Sequence, residues 1–102
     1  MVFSNRQLQL VQEGARILER YILIPIDKAV LLINKAIAEQ KEKTGKDMED
    51  LEDGDLESRR RFIRGVMIQV RKQLQTDTGA SEATIRTAIE KYIARIEEIW
   101  NQ

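Results

Sequence analysis

Ile85, Ile89, Tyr92, Ile96 and Ile99 stand four, three, four and three residues apart, and Leu8, Val11, Ala15, Leu18 and Ile22 repeat the pattern near the other end of the chain. Such spacing puts apolar side chains on one face of an α-helix. Over a strand's length nothing alternates with period two, so the expectation is an all-α fold. With 102 residues, 42% of them hydrophobic but only 5% aromatic, the core should be aliphatic and shared by every helix. A single domain spanning residues 1–102 and built as a four-helix bundle is expected, with helices at about 5–23, 28–43, 56–75 and 82–100.

Punctuation sets these limits. Ser4 with Gln7 has capping-box spacing, which would start the first helix, and Gly14 reads as a mild flaw within it. Pro25, the only proline, cannot donate a helical hydrogen bond and pushes Ile24 toward an extended backbone. A stop is expected there rather than a kink, with Asp27 as the next N-cap and Ile26 and Leu31 at hydrophobic-staple spacing. Gly45 suits a left-handed helix end, and residues 44–54 read as one long, mobile, protease-sensitive connection. Asp55 and Ser81 are the expected caps of the last two helices. Ile63, Val66, Met67, Val70 and Leu74 give the third helix its apolar face until "QTDTGAS" breaks it.

The second helix is different. Ala29, Val30, Leu31, Leu32, Ile33, Ala36, Ile37 and Ala38 cover most of its circumference, whereas a bundle helix normally keeps one exposed face. Its second apolar side is therefore expected to meet another subunit. A homodimer follows, with Val30, Leu31, Ile33 and Ile37 as candidate interface residues.

The chain has neither cysteine nor histidine. Disulfides, thiolate chemistry and zinc fingers are excluded, along with the usual general base near neutral pH. Ser4, Ser58 and Ser81 sit at or near expected helix starts, where capping or a helix-start role explains them. No catalytic residue and no cofactor are expected. Seventeen basic and seventeen acidic residues balance, so no net field draws the chain to nucleic acid or an anionic membrane. Without a signal-peptide pattern or an apolar run of the roughly 20 residues a membrane span needs, the expected location is the cytoplasm and no membrane partner is expected.

"MEDLEDGDLESRRRF", residues 48–62, invites a metal or phosphate reading. In an EF-hand register set by Gly54, Leu51 and Arg60 would occupy ligand positions, which neither can fill. Asp47, Asp50, Asp53 and Asp55 remain an irregular cation candidate, but no metal site is expected. Glu49, Asp50 and Asp53 resemble the local carboxylate spacing of the all-α nucleotide pyrophosphohydrolases, but that family's second acid pair has no counterpart in "EATIRTAIEKYIARIEEIW". Arg60, Arg64 and Arg71 fall on one stripe of the third helix and form a candidate anion site. The stronger expectation is charge balance by the seven acids between Asp47 and Glu57.

"TGASEATIRTAI", residues 78–89, resembles the second half of a bacterial helix-turn-helix. That resemblance implies that Glu82, Ala83, Thr84, Arg86 and Thr87 face the major groove while Ser81 meets a phosphate. Gln75 and Thr78 depart from the motif, since they replace the small and apolar residues that let its two helices pack. A DNA-binding regulator using residues 70–91 is thus the alternative. The principal expectation is a non-enzymatic adaptor or regulatory bundle acting through protein–protein contacts, itself and an unidentified protein included.

Overall fold

The computed structural model describes residues 5–45 and 56–100, and within them lie four α-helices and no strand. They are α1 (Asn5–Ile22), α2 (Ile26–Thr44), α3 (Leu56–Asp77) and α4 (Glu82–Trp100). Ser4, Asp55 and the acidic connection expected between the second and third helices, beyond Gly45, are outside the described residues.

Each boundary has a local cause. After Ile22 the backbone of Leu23 turns left-handed (φ 63°), with its N–H donating to the Glu19 carbonyl at 3.1 Å. Pro25 (φ −59°) then opens α2 directly, and the Ala29 N–H reaches back to the Pro25 carbonyl at 3.0 Å. Pro25 therefore breaks the chain into two helices. Asp27 is not the N-cap: no side chain caps α2, and Asp27 sits inside its first turn, where its charge favours the positive end of the helix dipole. This fits the proline rule, because the ring presets the φ of a helix entry and supplies no competing donor. At the far end Gly45 (φ 70°) donates its N–H to the Lys41 carbonyl at 2.8 Å, the left-handed cap its sequence position implies.

The turn between α3 and α4 is held by its own side chains. The Thr78 hydroxyl donates to the Leu74 carbonyl (2.7 Å) and accepts from the Ala80 N–H (3.2 Å), while the Thr84 N–H donates to Ser81 Oγ (3.2 Å). Ser81 is thus the cap of α4, and α3 runs two residues past its expected end.

Side-chain contacts give the topology. Arg71 meets Glu82 at one end of the α3–α4 pair and Arg60 meets Glu97 near the other, so these helices are antiparallel. Tyr92 and Trp100 of α4 reach Leu10 and Gln9 of α1, again antiparallel. Asp77 lines the same cleft as Lys28 at the start of α2, while Gly65 lies against Gln40 near its end. The helices therefore alternate in direction around a ring in which α1 packs on α2 and α4, and α3 on α2 and α4.

The core inside this ring includes Leu10, Leu18, Ile33, Val66, Val70 and Ile96. It confirms the expected face of α3 and, at Ile85, Tyr92 and Ile96, that of α4, where Ile89 is only partly buried and Ile99 is not part of the core; Phe62, Gln69 and Ala88 are added. The α1 stripe is corrected at its start: Leu8 is 43% exposed and Leu10 is fully buried. Because α1 touches α4 as well as α2, its buried arc is wider than the stripe and turned toward α4. Gly14 is likewise no flaw. A β-carbon there would overlap the ring of the fully buried Tyr92, so only glycine lets α4 pack this closely. The Tyr92 hydroxyl donates to the Leu10 carbonyl, which satisfies it in the core. Burial, with the nearby Glu13 carboxylate second, pushes the Tyr92 phenol well above its ordinary value.

Candidate interaction surface

α2 turns Ala29, Leu32, Ile33, Ala36 and Ile37 into the core. The expected interface residues Ile33 and Ile37 are therefore corrected: their 0% and 3% exposure leaves nothing to offer a second chain. Val30 is half-buried and packs against the same core. Leu31 alone of the four points outward, with 70% of its surface in solvent. Ala38, two turns further on, is exposed on the same side.

Around Leu31 the surface is concave. A cleft of about 310 Å³ opens between α2 and the end of α3, lined by Ile24 and Leu32 with the exposed Leu31 at its lip and by Lys28, Lys35 and Asp77. Leu23 and Ile26 stand exposed on the neighbouring α1–α2 turn, Leu23 by 83%. The sequence places Leu23 at the end of the first helix and Ile24 in the extended residue before Pro25, and neither is expected as part of a surface. The signal was present: Pro25 flanked by four aliphatic residues in "ILIPI" leaves a turn with more apolar side chains than a turn can bury.

Ile68, 54% exposed on α3, shows what exposure means without such a setting. One helical turn away in either direction lie Arg64, Gly65, Arg71 and Lys72, so it is an isolated apolar residue in a basic field. Single exposed aliphatics of this kind are ordinary.

The arginine stripe is real in position, and two of its three residues are taken up by ion pairs. Arg71 forms an ion pair with Glu82 at 2.9 Å and Arg60 with Glu97 at 3.7 Å, both across the α3–α4 seam. Arg61 pairs within its own helix with Glu57 at 3.6 Å. Among the described residues the partners of Arg60 and Arg71 come from α4 and Arg64 alone of the three has no ion pair, while of the seven acids expected to balance the stripe only Glu57 is described. Aimed at carboxylates, the stripe does not converge on an open anion site.

The helix-turn-helix residues are brought together at the start of α4, but not in a reading geometry. In that motif the helices cross at roughly 90–120°, whereas α3 and α4 run side by side for their whole length, from Arg71–Glu82 to the Arg59 Nη1 that donates to the Trp100 carbonyl at 3.0 Å. Ser81 Oγ is taken by the Thr84 N–H and hydroxyl, Thr87 donates to the Ala83 carbonyl at 3.1 Å, and Arg86 lies 3.8 Å from Glu82. Among the described residues no cluster of three or more acids is placed to hold a metal ion, and no helix is long and apolar enough to cross a membrane. The acids considered for a cation or nucleotide site, Asp47 to Asp55, lie outside the described residues. Comparison with protein-family models, with curated proteins and with solved structures found no match.

Proposed function

We propose that this chain is a non-enzymatic, cytoplasmic interaction module, an adaptor or regulatory bundle that pairs with itself as a homodimer and serves a further protein partner. The observation that carries the reading is Leu31, a large aliphatic residue left 70% exposed at the lip of an apolar-floored cleft. Covering such a residue contributes on the order of 1.5–3 kcal/mol, and a two-fold pairing covers it twice. The hydroxyl that lines the cleft, Thr78, argues against chemistry there, because it is spent on the backbone of its own turn.

Sedimentation of the wild-type chain and of Leu31→Glu tests this. The wild type should sediment at twice the mass of one chain at tens of micromolar. Leu31→Glu should move toward monomer while keeping its helical circular dichroism. Equal masses for the two proteins would remove Leu31 from any interface. Titration with mixed duplex DNA at low salt separates the alternative, for which salt-dependent binding is required and for which the module predicts none.

A further inference from the structure

The outward face of α2 carries charge in a particular order. Asp27, Leu31 and Lys35 follow one another at intervals of four residues, forming a single ridge with a carboxylate at one end, an aliphatic residue in the middle and an ammonium at the other. All three are exposed, and neither Asp27 nor Lys35 has an ion pair among the described residues. Ala38 adds no bulk beyond them. Such a ridge is its own complement when it is turned end for end.

We propose that the partner of this surface is a second copy of the chain, docked with α2 antiparallel to α2 and the two-fold axis passing beside Leu31. The inference rests on the self-association proposed above and specifies its register. In that register the residue numbers facing one another sum to 62, so Leu31 meets the partner's Leu31, Asp27 meets the partner's Lys35, and Lys35 meets the partner's Asp27. A parallel pairing of the same ridges would set Asp27 against Asp27 and Lys35 against Lys35. Charge order therefore selects the antiparallel arrangement and penalises the parallel one. The apolar floor at Ile24 and Leu32 lies beside the axis, where the incoming Leu31 can be seated.

Two single charge reversals test the register in the 102-residue chain. Asp27→Lys places two lysines against two lysines in its own dimer, and Lys35→Asp places aspartate against aspartate. Each alone should weaken self-association by about tenfold. Mixed together, the two variants form a heterodimer in which both facing pairs are of opposite charge in the antiparallel and the parallel register alike, so the decisive form is the double variant. Asp27→Lys combined with Lys35→Asp in one chain swaps the ridge end for end, sets each new lysine against a new aspartate, and should restore wild-type association. Because the chain has no cysteine, Leu31→Cys adds an independent reading: under Cu(II) oxidation it should crosslink to a band of twice the chain mass, whereas Ile68→Cys on α3 should not. Circular dichroism checks that each variant keeps its helices. If the wild type is a dimer but the double variant associates no better than the single ones, or Ile68→Cys crosslinks in place of Leu31→Cys, the antiparallel register is overturned and self-association survives. A wild type that stays monomeric at tens of micromolar overturns both.

Discussion

The α1–α4 seam and the α2–α3 seam are built on the same device and filled with opposite chemistry. In each, a glycine on one helix accepts a larger side chain from its neighbour: Gly14 receives the Tyr92 ring, and Gly65 receives the Gln40 amide. Tyr92 is rigid, fully buried and tied to the Leu10 carbonyl, with Arg95 clamped beside it on Glu13 at 3.1 Å. Hydrogen bonding and charge from Glu13 hold the Arg95 guanidinium above its ordinary value. Gln40 ends in a flexible amide and lies in a polar seam. There Gln73 donates to Glu39 at 3.4 Å, and Gln69, with its amide oriented to satisfy both groups, joins Glu39 at 2.9 Å to Lys43 at 2.8 Å. The first seam closes its apolar surface within the chain. The second gives way to the open cleft at Leu31, so the molecule has a locked side and an adaptable one.

The largest expected effect follows from the rigid side. Gly14→Ala forces a methyl into a ring that cannot yield, and overpacking should cost about 2 kcal/mol or more even though alanine is the better helix former by roughly 1 kcal/mol. Urea unfolding measures it, and an unchanged midpoint would mean that the seam is looser than described. Tyr92→Phe keeps the ring and loses the hydroxyl's bond to Leu10, a loss of about 1 kcal/mol.

The same residue gives a pH signature. Its folded phenol holds the proton above the ordinary value of 10.0, so stability from this group is complete below pH 10 and is lost as pH rises toward the folded value. The wild type should therefore lose stability above pH 10 more steeply than Tyr92→Phe. Parallel pH profiles would show that Tyr92 is not the group responsible.

On the adaptable side Gly65→Ala should change stability by less than about 1 kcal/mol, because the Gln40 amide can swing aside while the helix gains propensity. A loss equal to that of Gly14→Ala would erase the distinction between the seams. The smallest effect on folding belongs to Leu31→Glu, within about 0.5 kcal/mol for the subunit since nothing in the core depends on it. Its consequence should lie in assembly alone.

Much of this fold is legible in the sequence because helical periodicity and punctuation are local. Three-and-four spacing places the helices, Pro25 separates α1 from α2, and Gly45 and Ser81 mark an end and a start. What stays hidden depends on neighbours. The sequence shows that Leu8 and Leu10 lie near one edge or the other of a stripe, but only the position of α4 decides that Leu10 is the buried one. Gly14 reads as a weakness in the sequence because its partner, Tyr92, belongs to the last helix of the chain. The apolar residues of α2 do occupy two sides, yet period alone does not say which side meets the core, and Ile33 and Ile37 turn out to lie on the inner one. The arginines of α3 are visible as a stripe, while their carboxylates on α4 come into reach only when the hairpin closes. Asp27 and Lys35 are seen to flank Leu31 on one outward ridge only once the inner face of α2 is known.

The central claim is that the apolar face at Leu31 is covered by a second copy of this chain. Sedimentation equilibrium of the unmodified protein, across a concentration series reaching tens of micromolar, addresses it most directly. The account predicts a mass rising with concentration to twice that of one chain, as a reversible two-fold pairing requires. A mass that stays at that of a single chain throughout would contradict it.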